Sequence, residues 1–127
     1  MIRTVIAATV SAILIVGVAA LFLQVLIPGQ VKAGECSTMV ASHYGKESGS
    51  RTASGSFFDG SQMVAAHKSM KFGTKLKVTY QGRSVVVVIA DRGPYIRGRE
   101  LDLSTGAARK IGLTKAGVDR VMVCRVG

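Results

Sequence analysis

Several stretches of the chain have the apolar pattern of β-strands. Lys75 to Tyr80 alternates polar and apolar residues with a period of two, as a strand with one buried face should. Val85 to Ala90 is a continuous apolar run, mostly β-branched, which predicts a strand buried on both faces inside a small closed barrel. Met39 to Tyr44 and Arg120 to Val126 are predicted as the first and last strands. The pattern therefore predicts a mainly β protein.

A single convincing helix is predicted, from Ser104 to Ile111. Ser104 can cap its N-terminus, Lys110 lies in its last turn, and Gly112 follows as the stop signal. The stretch from Gly45 to Gly60 is rich in Gly and Ser and is expected to be a loop.

The start of the chain has the composition of a targeting segment. Residues 5–27 carry no charge and are long enough to cross a bilayer as a hydrophobic helix, and Val31-Lys32-Ala33 has the small-residue spacing that a signal peptidase accepts. Residues 1–33 are therefore expected to be either a cleaved signal peptide or a retained membrane anchor. Residues 34–127 leave room for one small domain, exported to the periplasm or cell envelope.

The two cysteines fit an exported domain, because thiols outside the cytoplasm tend to pair. Cys36 opens the predicted domain and Cys124 nearly closes it. We expect a disulfide that fastens both ends of the domain.

The charge balance points to an anionic partner. Lys and Arg outnumber Asp and Glu by 17 to 7, which gives a formal net charge of +10. The basic residues lack the interleaved aromatic residues that single-stranded nucleic-acid binders use for stacking. A cell wall or a lipid surface is therefore favoured over nucleic acid, and a merely solvated basic face is the alternative.

Two residues are candidates for chemistry. Asp91 follows six apolar residues, so burial could raise its pKa into the range of a general acid, although a turn-capping role fits the spacing equally well. His67 follows two alanines, where a packed core histidine is the alternative to a base. Neither His67 nor His43 has metal ligands at the required spacing, so no metal or other cofactor is predicted.

Several spaced motifs occur in one order along the chain. They are Ala41-Ser42-His43-Tyr44-Gly45, Arg51-Thr52-Ala53-Ser54-Gly55, Phe58-Asp59, Ala65-Ala66-His67-Lys68, Phe72-Gly73-Thr74, Asp91-Arg92-Gly93-Pro94, Asp102-Leu103-Ser104 and Ala107-Ala108. This series resembles the rare lipoprotein A (RlpA-like) family. The resemblance implies a six-stranded double-psi β-barrel over residues 34–127. It also implies a lytic transglycosylase that acts on peptidoglycan glycan strands stripped of stem peptides.

The resemblance also implies roles for individual residues. Asp91 would be the acid and base, protonating the glycosidic oxygen between N-acetylmuramic acid and N-acetylglucosamine and then deprotonating the 6-hydroxyl to give a 1,6-anhydro product. His67 would orient Asp91 or the substrate. Substrate-binding roles fall on Arg92 and on the stacking candidates Tyr44 and Tyr95.

One position departs from the family pattern. Enzymatic members usually have Glu directly after the Thr-Ala-Ser-Gly motif, and Ser56 stands there in this chain. A hydroxyl cannot act as an acid or base near pH 7, so Ser56 is left as a substrate-binding candidate. Two functions therefore stay open: a peptidoglycan-cleaving enzyme, which we favour, and a non-catalytic, expansin-like polysaccharide-binding barrel. Either is expected to be a monomer.

Overall fold

The computed structural model describes residues 34–127. The predicted signal peptide or anchor in residues 1–33 lies outside the described residues. In the part described, no helix is both long and apolar enough to cross a membrane.

Six strands form a closed barrel in the order β1-β5-β2-β4-β3-β6. The pairs β1–β5 and β2–β4 are parallel, and the other four pairs are antiparallel. The predicted six-stranded, mainly β architecture is confirmed. The strands are β1 (Cys36–Tyr44), β2 (Val64–His67), β3 (Lys75–Tyr80), β4 (Arg83–Asp91), β5 (Leu101–Ser104) and β6 (Asp119–Arg125).

The predicted helix is present as α1 (Thr105–Ile111). The Ser104 hydroxyl caps it by accepting a hydrogen bond from the Ala107 N–H at 3.1 Å. Gly112 ends it in the left-handed conformation, with φ of 78°. Single 3₁₀ turns occur at Lys46–Ser48 and Leu113–Lys115.

The sequence pattern missed β2 and β5, which have four residues each. The two pair with each other, and each has one longer partner on its other side: β4 for β2 and β1 for β5. Their strand geometry comes from these long-range ladders, so a short window of sequence carries little sign of it.

The expectation that β4 is buried on both faces is wrong for its first half. Val85, Val87 and Ile89 point into the core, whereas Val86 is 50% exposed. Val86 lies opposite the exposed Lys77 of β3, on an outer face that is open to solvent. A barrel of this size has one interior, and α1 contacts β4 without covering all of its outer surface.

The predicted disulfide joins Cys36 to Cys124. The two residues lie directly opposite each other in the antiparallel β1–β6 ladder. The bond therefore ties the first barrel strand to the last.

Candidate active site

A polar cleft of about 480 Å³ lies where β1 and β4 end. Asp91 is the last residue of β4, and Asp102 belongs to β5. Both carboxylates line the cleft together with Tyr44, the last residue of β1. The barrel therefore gathers side chains from three strands that are distant in sequence.

The strand register determines the distance between the two aspartates. Ala66 of β2 pairs with Asp91 on one side and with Asp102 on the other. Two interstrand spacings, about 9–10 Å, therefore separate the two aspartate backbones. A register shift between Ala65 and Ala66 skips Ala90 and brings Asp91 into this row. Ala66 itself lines the cleft.

Asp91 is held firmly at one oxygen. Its Oδ1 accepts hydrogen bonds from the Ala53 N–H and the Arg92 N–H, both at 2.9 Å. The first bond fastens the loop after β1 to the end of β4. Asp91 thus has the turn-capping contacts that its spacing allowed.

Asp102 is the functional candidate that sequence reasoning missed. Burial raises the pKa of its carboxyl group, and a 3.0 Å hydrogen bond donated by the Ser42 hydroxyl partly opposes that rise. Its only sequence signal was its place in the Asp102-Leu103-Ser104 motif. A carboxyl that keeps its proton to higher pH is suited to donate it.

Tyr44 offers the cleft its hydroxyl rather than its ring. The ring is 9% exposed and stacks on Phe58, with 4.8 Å between centroids, so that face is not free for a sugar. The buried hydroxyl makes no hydrogen bond within the described residues. Burial, and then the nearby charges of Asp91 and Asp102, raise its pKa. Tyr44 therefore presents a neutral O–H close to both carboxylates.

His67 lies at the end of β2 and is not among the residues that line the cleft. Its Nδ1 accepts hydrogen bonds from the Ser69 N–H at 3.1 Å and the Met70 N–H at 3.0 Å. Burial, and next the charge of Arg92, lower its pKa. The neutral ring thus shapes the turn after β2, a positioning contact rather than one with the reacting atoms.

Arg92 lines the cleft, but its guanidinium is largely committed to the protein. Nη1 donates to the carbonyl oxygens of His67 at 3.2 Å and Met70 at 2.8 Å. The guanidinium carbon lies 3.9 Å from the centroid of the Phe72 ring. Arg92 therefore ties the turn that His67 shapes to the loop that begins at Asp91.

The other two candidates differ in position. Tyr95 lies on the cleft rim with 76% of its surface exposed, which leaves its ring free to stack on a sugar. Ser56 is exposed and is not among the cleft-lining residues. Its hydroxyl lies 2.6 Å from the Thr52 hydroxyl, in the same loop. Within residues 34–127, no group of three or more His, Cys, Asp or Glu side chains is arranged to hold a metal ion.

A closed mixed barrel of six strands with one short helix defines a small double-psi β-barrel protein. The chain belongs to the lytic transglycolase family, whose sequence model matches residues 36–123. The resemblance inferred from the spaced motifs is thereby confirmed.

Among similar proteins is the probable endolytic peptidoglycan transglycosylase RlpA of Nostoc sp. It is 51% identical over 89 residues, which cover 66% of this chain and 24% of that protein. The chain thus matches about a quarter of that relative's length.

Solved structures show the same barrel. A Streptomyces papain inhibitor aligns with a TM-score of 0.64 at 21% identity, over 77% of this chain and all of that one. A mutant Clavibacter michiganensis expansin in complex with cellohexaose aligns with a TM-score of 0.60 at 25% identity, over 73% of this chain and 51% of that one.

Proposed function

We propose that the domain is a lytic transglycosylase that cleaves the glycan strands of peptidoglycan outside the cytoplasmic membrane. The observation that carries the proposal is the placement of Asp91 and Asp102 in one cleft, on either side of Ala66. The Nostoc relative is named for this activity. The likeness to an expansin solved with cellohexaose supports a barrel whose cleft accepts a polysaccharide.

The cleft offers an acid and a base for this reaction. Asp102, whose pKa is raised, donates its proton to the glycosidic oxygen as the bond from that oxygen to the muramic acid C1 breaks. The muramic acid 6-hydroxyl attacks C1, and Asp91 takes the proton that this hydroxyl releases. The products are a 1,6-anhydro end and a free 4-hydroxyl, and solvent returns the proton from Asp91 to Asp102.

In this scheme Asp102 acts as the acid and Asp91 as the base, whereas the sequence analysis assigned both roles to Asp91. Since the second carboxylate comes from Asp102, a Glu at the position of Ser56 is not required for a two-carboxylate mechanism. The Tyr44 hydroxyl lies close to both carboxylates and can donate to whichever one is ionised.

The test compares Asp91→Asn and Asp102→Asn with the parent chain on purified glycan strands. Mass spectrometry follows the soluble 1,6-anhydro products. Each variant should slow product formation about 100- to 10,000-fold, because each amide keeps the shape of the carboxyl without its proton chemistry. Glu100→Gln is the matched control, because Glu100 is an exposed carboxylate that does not line the cleft and accepts only a long hydrogen bond, at 3.4 Å, from the Val40 N–H.

The outcomes separate the assignments. If Asp91→Asn abolishes product formation and Asp102→Asn does not, Asp91 serves as both acid and base. If the parent chain sediments with peptidoglycan but releases no anhydro product, the proposal is wrong and the domain is a polysaccharide-binding barrel. Equal thermal midpoints for the three variants exclude loss of folding as the cause.

A further inference from the structure

The loop of residues 51–57 carries three hydroxyl side chains that meet at Thr52. An isolated antiparallel bridge joins the first and last residues of the loop. The Thr52 Oγ1 lies 2.8 Å from the Ser54 hydroxyl and 2.6 Å from the Ser56 hydroxyl. It also accepts a hydrogen bond from the Ser56 N–H at 3.3 Å. These three residues, Thr52, Ser54 and Ser56, form a hydroxyl cluster.

Thr52 is the central member of the hydroxyl cluster. Its side chain is buried, whereas Ser54 and Ser56 are exposed. Within the described residues 34–127, the hydrogen-bond partners of the Thr52 hydroxyl all belong to this loop. A buried hydroxyl that loses its partners costs free energy, so the cluster favours the one shape of the loop in which these bonds form.

The loop contacts β4 through two backbone N–H groups that directly follow Thr52. The Ala53 N–H donates to Asp91 Oδ1 at 2.9 Å, and the Ser54 N–H donates to the Ala90 carbonyl oxygen at 3.0 Å. Ala53 and Ser54 are both exposed, so burial of their side chains does not hold them against β4. The positions of these two donors therefore depend on the shape of the loop.

The two donors to Asp91 Oδ1 are kept in place in different ways. The Arg92 N–H belongs to the next residue of the chain, so it stays close to the Asp91 carboxylate whatever the loop does. Ala53 is 38 residues away in sequence, and only the loop brings its N–H to the carboxylate. With both donors the carboxylate is fixed at two points, whereas with Arg92 alone it can pivot about one hydrogen bond.

We propose that Thr52 is a positioning residue for Asp91, because the hydroxyl cluster holds the Ala53 N–H where it fixes the carboxylate. This inference rests on the proposed function, since it names what keeps the proposed base in place. It also gives Ser56 a role as a partner of Thr52, at the position where enzymatic members of the family usually have Glu.

The first test variant is Thr52→Val in the full chain, which keeps the branched shape of the side chain and removes its hydroxyl. The kcat for release of 1,6-anhydro products from purified glycan strands should fall about 10- to 100-fold, as expected for a displaced reacting group. KM should stay nearly unchanged, because Thr52 does not line the cleft. Ser56→Ala should have a smaller effect, because Thr52 then keeps the Ser54 hydroxyl and the Ser56 N–H as partners.

Amide hydrogen exchange of Ala53, followed by NMR without substrate, tests the same inference apart from cleavage. Thr52→Val should speed this exchange about twofold to tenfold, as expected for the loss of one hydrogen bond. Thr52→Ser keeps the hydroxyl and should return both the exchange rate and kcat toward those of the parent. Thr79→Val is the matched control, because the Thr79 hydroxyl lies 2.7 Å from that of Ser84 in the β3–β4 hairpin, outside the cleft. It should change neither quantity.

The inference is overturned if Thr52→Val leaves the exchange of Ala53 unchanged, or speeds it without lowering kcat in an active chain. It is also overturned if Thr52→Ser is as impaired as Thr52→Val, or if Thr79→Val is equally slow. If Thr52→Val does not fold, Ser56→Ala is compared with Ser84→Ala in the same two measurements, and equal results would overturn the inference. A parent chain that releases no anhydro product would contradict the proposed reaction, while the exchange rates would still decide whether Thr52 positions the Asp91 carboxylate.

Discussion

The disulfide should supply a large part of the stability of the folded domain. Cys36 and Cys124 are 88 residues apart in sequence, so the bond closes nearly the whole described chain into one loop. The chain-entropy relation gives about 4.6 kcal/mol for a loop of this length. A small domain has a free energy of unfolding of about 5–15 kcal/mol, so reduction should remove about 30% or more of it.

The assay is thermal unfolding followed by circular dichroism, with and without a thiol reductant. A domain of this size shifts its midpoint by about 4–8 °C per kcal/mol, so reduction should lower the midpoint by about 20–35 °C. A variant with Cys36→Ser and Cys124→Ser should resemble the reduced parent and should not respond to the reductant. A fall of less than about 5 °C would refute the reasoning, because the β1–β6 ladder would then hold the chain ends without the covalent bond.

Two further predictions concern the core and the pH dependence of stability. Leu76→Ala should lower the free energy of unfolding, measured by chemical denaturation, by about 2–5 kcal/mol, because Leu76 is fully buried. Val86→Ala should lower it by less than about 1 kcal/mol, because Val86 is half-exposed. Equal losses for the two variants would contradict the assignment of Leu76 to the barrel interior and Val86 to its outer face. Folding lowers the pKa of His67 below its usual 6.5, so as the pH falls the unfolded chain takes up a proton at this residue before the folded chain does. The neutral His67 therefore contributes fully to the free energy of unfolding above about pH 6.5. This contribution is lost as the pH falls toward the pKa of His67 in the folded protein. The variant His67→Asn keeps a hydrogen-bond acceptor for the turn but does not titrate, so its free energy of unfolding should change less with pH below about pH 6.5. An unchanged pH dependence would show that His67 is not the group responsible.

The sequence alone determined the elements with a strong local pattern. β3 follows strict alternation over Lys75–Tyr80, and α1 lies between a Ser104 cap and the Gly112 stop, so both are set by neighbouring residues. The spaced motifs determined the family and its six-stranded barrel. The tendency of cysteines to pair outside the cytoplasm was enough to predict the Cys36–Cys124 disulfide.

Only the tertiary structure determined which strands pair and which side chains are neighbours in the cleft. β2 and β5 are strands because they pair with each other and with the longer β4 and β1, and this pairing places Asp91 and Asp102 on either side of Ala66. The raised pKa of Asp102 depends on burial, which no local window of sequence reports.

The roles of the candidate site residues also depend on the tertiary structure. Arg92 was expected to bind the substrate, and His67 to orient Asp91 or the substrate. The hydrogen bonds of both side chains go to the turn after β2. Tyr44 was a stacking candidate, yet Phe58 occupies a face of its ring. A sequence motif fixes which side chains are present. Their orientation, burial and partners depend on strand register and on loops that meet across the barrel, since these contacts join residues far apart in the chain.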